Sequence, residues 1–161
     1  MLATIEMNIR TYNKNDKEHV IHLVKDGLTD FGFPYSEETS ESDLKDIEKE
    51  YFDNNGTFLI MENDNHEIIA TGAIKEIKKS IFKIRKMYVH KSQRKKGFGK
   101  EILIHLLSFA KDKRAKIVLL ETSSRMTAAI GLYKSFGFEL SDDDPLSPRC
   151  DITLTKIISY D

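Results

Sequence analysis

The 161-residue sequence is short of several things, and each shortage excludes a class of protein. It has one cysteine, Cys150, so neither an internal disulfide nor a multi-cysteine zinc site can form. It has little net charge: 25 Lys plus Arg against 26 Asp plus Glu leave -1, which argues against constitutive nucleic-acid packaging. No apolar run reaches the roughly 18 residues of a membrane span. The start, Met1 to Glu6, lacks the basic and apolar segments of a secretory leader. With three prolines and eight glycines there is no Pro- or Gly-rich linker, and no repeat or low-complexity tract. What is present is 40% apolar residues, enough for a real core. The expectation is one cytoplasmic domain over residues 1–161, with neither a membrane nor a nucleic acid as partner.

Periodicity then sets out the elements. Met7 to Tyr12 reads as a strand. Asn15, with Glu18 three residues on, resembles a capping box opening a helix whose stripe is Val20, Val24 and Leu28. Gly27, Gly32 and Pro34 are expected to break that helix, and Ser40 to open an acidic one running to about Phe52. Residues 57–61 and Ile68 to Ile77 form a predicted hairpin, followed by a strand from Ile81 to His90. Ile102, Leu103, Leu106, Leu107, Phe109 and Ala110 mark one face of an amphipathic helix. A short strand (Lys116 to Thr122), a helix (Thr127 to Phe136) stopped by Gly137, and two final strands complete a βααβββαβαββ order. The β-α-β crossover places a parallel pair within an otherwise antiparallel sheet.

Chemistry concentrates between Lys83 and Lys100. There a strand enters a glycine-containing turn that opens directly into a helix. Glycines permit unusual backbone angles, and the first helical N–H groups are unpaired at the positive end of the macrodipole. Arg94, Lys95, Lys96 and Lys100 add charge, an arrangement suited to a pyrophosphate. The P-loop is excluded because its Gly-Lys-Ser/Thr is absent, and the dinucleotide fingerprint because no third glycine follows Gly99. A second segment, Leu120 to Phe138, carries Ala129-x-x-Leu132-Tyr133-x-x-x-Gly137-Phe138.

Together the two segments resemble the GNAT acetyltransferase superfamily. Arg94-Lys95-Lys96-Gly97-Phe98-Gly99 meets its Arg/Gln-x-x-Gly-x-Gly/Ala signature, and Ala129 to Phe138 its later element. The resemblance implies an α/β fold: a mixed, mostly antiparallel sheet with a central splayed parallel pair, flanked by helices. It implies acetyl-CoA as co-substrate and direct acetyl transfer to a primary amine in a ternary complex. Met87, Tyr88 and Val89 would pair with the pantetheine arm through their backbone. Amides from Lys95 to Lys100, through Lys96, Gly97, Phe98 and Gly99, would hold the pyrophosphate, with Arg94 opening the loop. A strand bulge is usual here, and an N–H near Val89 would polarise the thioester.

Tyr133 matches the usual general acid; a phenol of pKa about 10 is protonated at neutral pH and can donate to a thiolate. Many relatives place a glutamate base at the position of Lys83, which a charged lysine cannot replace. In a subgroup resembling the ribosomal-protein alanine acetyltransferase the base is a glutamate ending the next strand, here Glu121. That subgroup often has asparagine where this chain has Met126. The resemblance leaves the acceptor open and allows a homodimer without requiring one.

Other features have weaker claims. Glu37, Glu38, Glu41, Asp43, Asp46, Glu48, Glu50 and Asp53, with Asp142 to Asp144, would make a negative cleft rim favouring a cationic amine or a basic peptide, or else are simply solvated. The five histidines lack metal-ligand spacing, and Cys150 has no activating histidine beside it in the sequence. Two alternatives of other classes remain: a non-catalytic acyl-CoA sensor, and an anion- or nucleic-acid-binding domain resting on the Lys/Arg between Lys83 and Lys100.

Overall fold

The computed structural model describes residues 7–160. β1 (Asn8–Thr11) leads to α1 (Lys17–Asp30) and the four-residue α2 (Ile47–Glu50). β2 (Thr57–Glu62), β3 (Ile68–Lys78) and β4 (Ile81–Val89) form an antiparallel meander. Then come α3 (Phe98–Asp112), β5 (Ile117–Thr122), α4 (Thr127–Ser135), β6 (Glu139–Leu140) and β7 (Ile152–Ile157). The sheet order is β1-β2-β3-β4-β5-β7-β6, and β4–β5 is its parallel pair. The expected element order and mixed sheet are both present.

Two apolar clusters hold the layers. Val20, Val24 and Leu28 of α1 join Leu44, Ile47, Tyr51 and Phe58 in one. Ile102, Leu103, Leu106 and Ala110 of α3 join Ile74, Phe82, Ile84, Val118 and Leu154 in the other. At about 25 cal/mol per Å² of apolar surface, burial of this kind is the main favourable contribution to folding.

Three local expectations are corrected. The capping box sits on Asn13 rather than Asn15, and it opens a 3₁₀ turn (Lys14–Asp16) that leads into α1. The Asn13 side chain accepts from the Asn15 N–H, and the Asp16 carboxylate accepts from the Asn13 N–H. Arg10 decides this: it grips both Asp16 oxygens at 2.8 and 2.9 Å, which fixes Asp16 as the reciprocal partner. Gly27 does not break α1 but lies inside it. A Cβ there would sit 2.5 Å from Cδ1 of Tyr88, so glycine is retained for close packing. The acidic segment is not one helix: short 3₁₀ turns at Ser42–Lys45 and Phe52–Asn54 flank α2. Asp43, Leu44 and Ile47 are buried there, so packing follows the sheet surface rather than a helical stripe.

Candidate active site

The site begins with a bulge. Along β4, Phe82 and Ile84 face the α3 cluster, and strict alternation would send Lys86 the same way. The β3–β4 register instead slips between Tyr88↔Thr71 and Arg85↔Ala73, leaving one extra residue in β4. Lys86 sits there with φ +56°, and its carbonyl accepts from the Thr71 hydroxyl at 2.8 Å. Arg85 and Lys86 therefore both reach the 40–43 segment: each donates to the Ser40 carbonyl, at 3.0 and 3.3 Å, and Lys86 Nζ lies 3.1 Å from Asp43. Past the bulge the phase is reversed, so Met87 and Val89 pack with the α3 cluster and Tyr88 with the α1 cluster.

β4 then parts from β5. The parallel pairing runs only from Ile81↔Ile117 to Lys83↔Leu119, although both strands continue. A cleft opens between them, with about 850 Å³ of empty space including the open solvent at its mouth. Met87, Tyr88, Glu121 and Tyr133, all singled out in the sequence, line it. Arg85, Arg149 and Phe33 line it too, and were not singled out.

Val89 and the basic turn lie at the far end of β4. Lys95 and Gly97 both take left-handed backbone, φ +65° and +85°, and α3 starts at Phe98. A Cβ on Gly97 would meet nothing, so conformation and not space selects glycine there. The first intrahelical bond is Glu101 N–H to the Gly97 carbonyl, which leaves the amides of Phe98, Gly99 and Lys100 at the open helix end. The Arg94 side chain turns away from this end. It donates to the Val89 carbonyl at 3.1 Å and to Asp30 at 3.0 Å, and lies 5.4 Å from the Phe31 ring. It ties the turn to β4 and to the end of α1.

Glu121 is the penultimate residue of β5, with its side chain largely buried. Its carboxylate accepts the N–H groups of Leu146 and Ser147, at 2.9 and 3.1 Å, and pairs with Lys83 at 3.0 Å. Burial pushes its pKa up, but these donors outweigh burial and hold it below its ordinary range. A carboxylate offers about four acceptor sites, so one remains for water or an amine. Arg125 is not among the partners of Glu121: its guanidinium lies 5.1 Å from the Phe33 ring and donates to the Phe31 carbonyl.

Tyr133 is buried, with its ring edge-on to Phe138 at 5.8 Å. Burial, and then Tyr88, raise its pKa, so the phenol stays protonated. Burial also raises the Cys150 thiol, which makes it a poor nucleophile. Among the described residues, no group of three or more His, Cys, Asp or Glu could hold a metal ion, and no helix is long and apolar enough to cross a membrane.

A splayed parallel pair, a bulged β4 and a glycine turn opening α3 define a recognisable class. The model of the acetyltransferase (GNAT) family matches residues 21–138, and the chain belongs to that family. N-acetyltransferase 8 of Homo sapiens is 26% identical over 110 residues, 65% of this chain and 48% of that protein. The probable N-acetyltransferase camello of Xenopus laevis is 30% identical over 110 residues, 66% of this chain and 50% of its own. The chain thus spans about half the length of the curated relatives it matches. A GNAT-family acetyltransferase from Staphylococcus aureus Mu50 superposes with TM-score 0.89 at 21% identity, covering 96% of this chain and all of that one. A Salmonella typhimurium structure, described with acetyl-CoA as its cofactor, superposes at 0.76 with 16% identity, covering 97% of this chain and 96% of its own.

Proposed function

We propose that this chain transfers the acetyl group of acetyl-CoA to a primary amine, on a small molecule or peptide, by direct attack in a ternary complex. One observation carries the reading: beyond Lys83 the β4 edge leaves β5 and faces a cleft holding Glu121 and Tyr133, with the Gly97 turn at its far end. An unpaired strand edge suits the amide-rich pantetheine arm, which Met87, Tyr88 and Val89 would take as an added strand. The amides from Lys95 to Lys100 suit the pyrophosphate. Arg94 acts as a positioning residue for that turn.

An acceptor amine is mostly protonated at neutral pH and must lose a proton before attack. Glu121, ionised and with one acceptor site left, would take it through water. The amine then attacks the thioester carbonyl, the carbon–sulfur bond breaks, and Tyr133 donates its proton to the departing thiolate. Tyr133→Phe keeps the ring packed on Phe138 and removes only the hydroxyl. The expected loss in kcat is about 100-fold for general acid catalysis, with little change in the KM for acetyl-CoA. The experiment is amine-dependent release of CoA thiol across an amine panel, with Tyr133→Phe and Glu121→Gln in parallel. Calorimetric binding of acetyl-CoA without release for any amine favours the sensor alternative; no binding at all refutes the reading.

A further inference from the structure

The acidic 37–53 segment reads in sequence as a rim for a cationic acceptor. The fold turns its two nearest carboxylates inward. Glu41 is wholly buried, accepting the Ser36 N–H at 2.9 Å and Arg149 at 2.5 Å. Asp43 is buried as well, bonded to the Tyr51 hydroxyl and paired with Lys86. Facing the cleft are their arginine partners, Arg149 for Glu41 and Arg85 for Asp43. The side chains of Arg85 and Arg149 are 25% and 19% exposed, against 2% and 0% for Asp43 and Glu41.

The two arginines are also underused. Among the described residues Arg85 makes one hydrogen bond, to Ser40, and Arg149 one, to Glu41. Most N–H donors of each guanidinium are thus uncommitted in a half-enclosed cleft, and the planar fork matches a carboxylate. Both are anchored on residues of one short segment, Ser40 to Asp43, so their heads converge. Beside them Phe31, Phe33 and Met126 supply an apolar wall.

We propose that the acceptor is a small amine bearing a carboxylate, of the chemistry of an apolar α-amino acid, with the carboxylate held by Arg85 and Arg149. The inference rests on the acetyltransferase reading and adds the substrate class to it. In this pose the amine lies toward Glu121 and the apolar side chain against Phe31 and Phe33. A polyamine would have to seat a second cation beside Arg85 and Arg149, whose counter-charges Asp43 and Glu41 do not line the cleft, and like charges there disfavour it.

The test compares L-phenylalanine, 2-phenylethylamine and spermidine as acceptors in CoA thiol release. It also measures, by calorimetry with CoA present, the binding of N-acetyl-L-phenylalanine and N-acetyl-2-phenylethylamine. The expected result is a preference of about 10- to 100-fold for the carboxylated member in kcat/KM and in affinity, the size of a hydrogen bond to a charged group. Arg149→Gln strands buried Glu41 and can cost folding, so Arg85→Lys and Arg149→Lys are the working variants. They keep the charge and lose the fork, and should raise the KM for L-phenylalanine several-fold, with the acetyl-CoA KM as control. Equal or better use of 2-phenylethylamine or spermidine overturns the inference and leaves the acetyltransferase standing. If no acceptor is turned over, tighter binding of N-acetyl-L-phenylalanine than of its neutral analogue still supports the carboxylate site, while the catalytic reading falls. Equal binding of the two, or none, overturns the inference.

Discussion

Lys83 Nζ and Glu121 Oε2 lie 3.0 Å apart, and the pair bridges β4 and β5 where their pairing ends. The ion pair thus closes the inner end of the cleft. Substituting Lys83→Met leaves Glu121 with its two backbone donors and removes its nearby positive charge. The expected loss is about 1–3 kcal/mol in urea unfolding, the cost of depriving a buried charged group of one partner. The Glu121 carboxyl should also titrate at higher pH, read by carbon-detected NMR. Lys83→Met combined with Glu121→Gln should cost less than the sum of the two, because the sites share one interaction.

Acid should unfold the protein through a defined set of carboxylates. Asp16, Asp43, Glu62 and Glu121 are all held below their ordinary values. For Asp16 and Glu62 the largest cause is the Arg10 hydrogen bond; for Asp43 and Glu121, burial opposes but is outweighed by nearby cations and donors. A depressed folded pKa means the unfolded chain binds more protons, so this stability is complete above the unfolded values of about 4 and is lost as pH falls through the folded ones. Scanning calorimetry should give a Tm nearly level from pH 7 to about 5 and falling steeply below about 4. Arg10→Gln should weaken that fall by removing the partner of two of the four.

The element order, the mixed sheet and the glycine turn were legible because they rest on local rules: alternation, helical stripes and turn chemistry. Met87, Tyr88, Glu121 and Tyr133 were found through the family resemblance, and they share the cleft. The cation pair was not legible. Arg149 meets Glu41 across 108 residues, and no periodicity reports such a contact. Lys86 left a partial signal as a lysine in phase with Phe82 and Ile84, but the bulge that turns it toward Asp43 exists only once β3 is paired. Gly27 was misread because propensity opposes glycine within a helix, whereas the Tyr88 ring requires it.

That requirement gives a sharp prediction. In an open helix interior Gly→Ala stabilises by up to about 1 kcal/mol. At Gly27 the new Cβ would lie 2.5 Å from Cδ1 of Tyr88, inside contact distance. The ring must move, and it lines the cleft. Overpacking of this kind costs about 1–3 kcal/mol and outweighs the propensity gain. Gly27→Ala should therefore unfold at lower urea and show a raised acceptor or acetyl-CoA KM. A rise in stability would show that Tyr88 has an alternative place.

Gly99 separates the needs of the fold from those of the ligand. It lies in the first turn of α3, where its backbone angle is ordinary. An added Cβ would touch Leu132 and Val89 at 3.7 Å, which is normal contact. Protein packing therefore gives no reason for glycine, and helix propensity argues against it by about 1 kcal/mol relative to alanine. If the glycine serves only the fold, Gly99→Ala should be neutral or stabilising in every assay. If the α3 end receives a pyrophosphate, a methyl group there holds the phosphate oxygens off the amides of Phe98 to Lys100. The expected outcome is unchanged or higher Tm together with acetyl-CoA binding weakened about 10-fold or more, the loss of one or two charge-assisted hydrogen bonds. Gly97→Ala makes the contrast: its positive φ strains any substituent, so it should lower stability by about 1 kcal/mol as well as affinity. Calorimetric titration of acetyl-CoA into both variants, alongside their melting curves, distinguishes a glycine kept for the chain from one kept for its ligand.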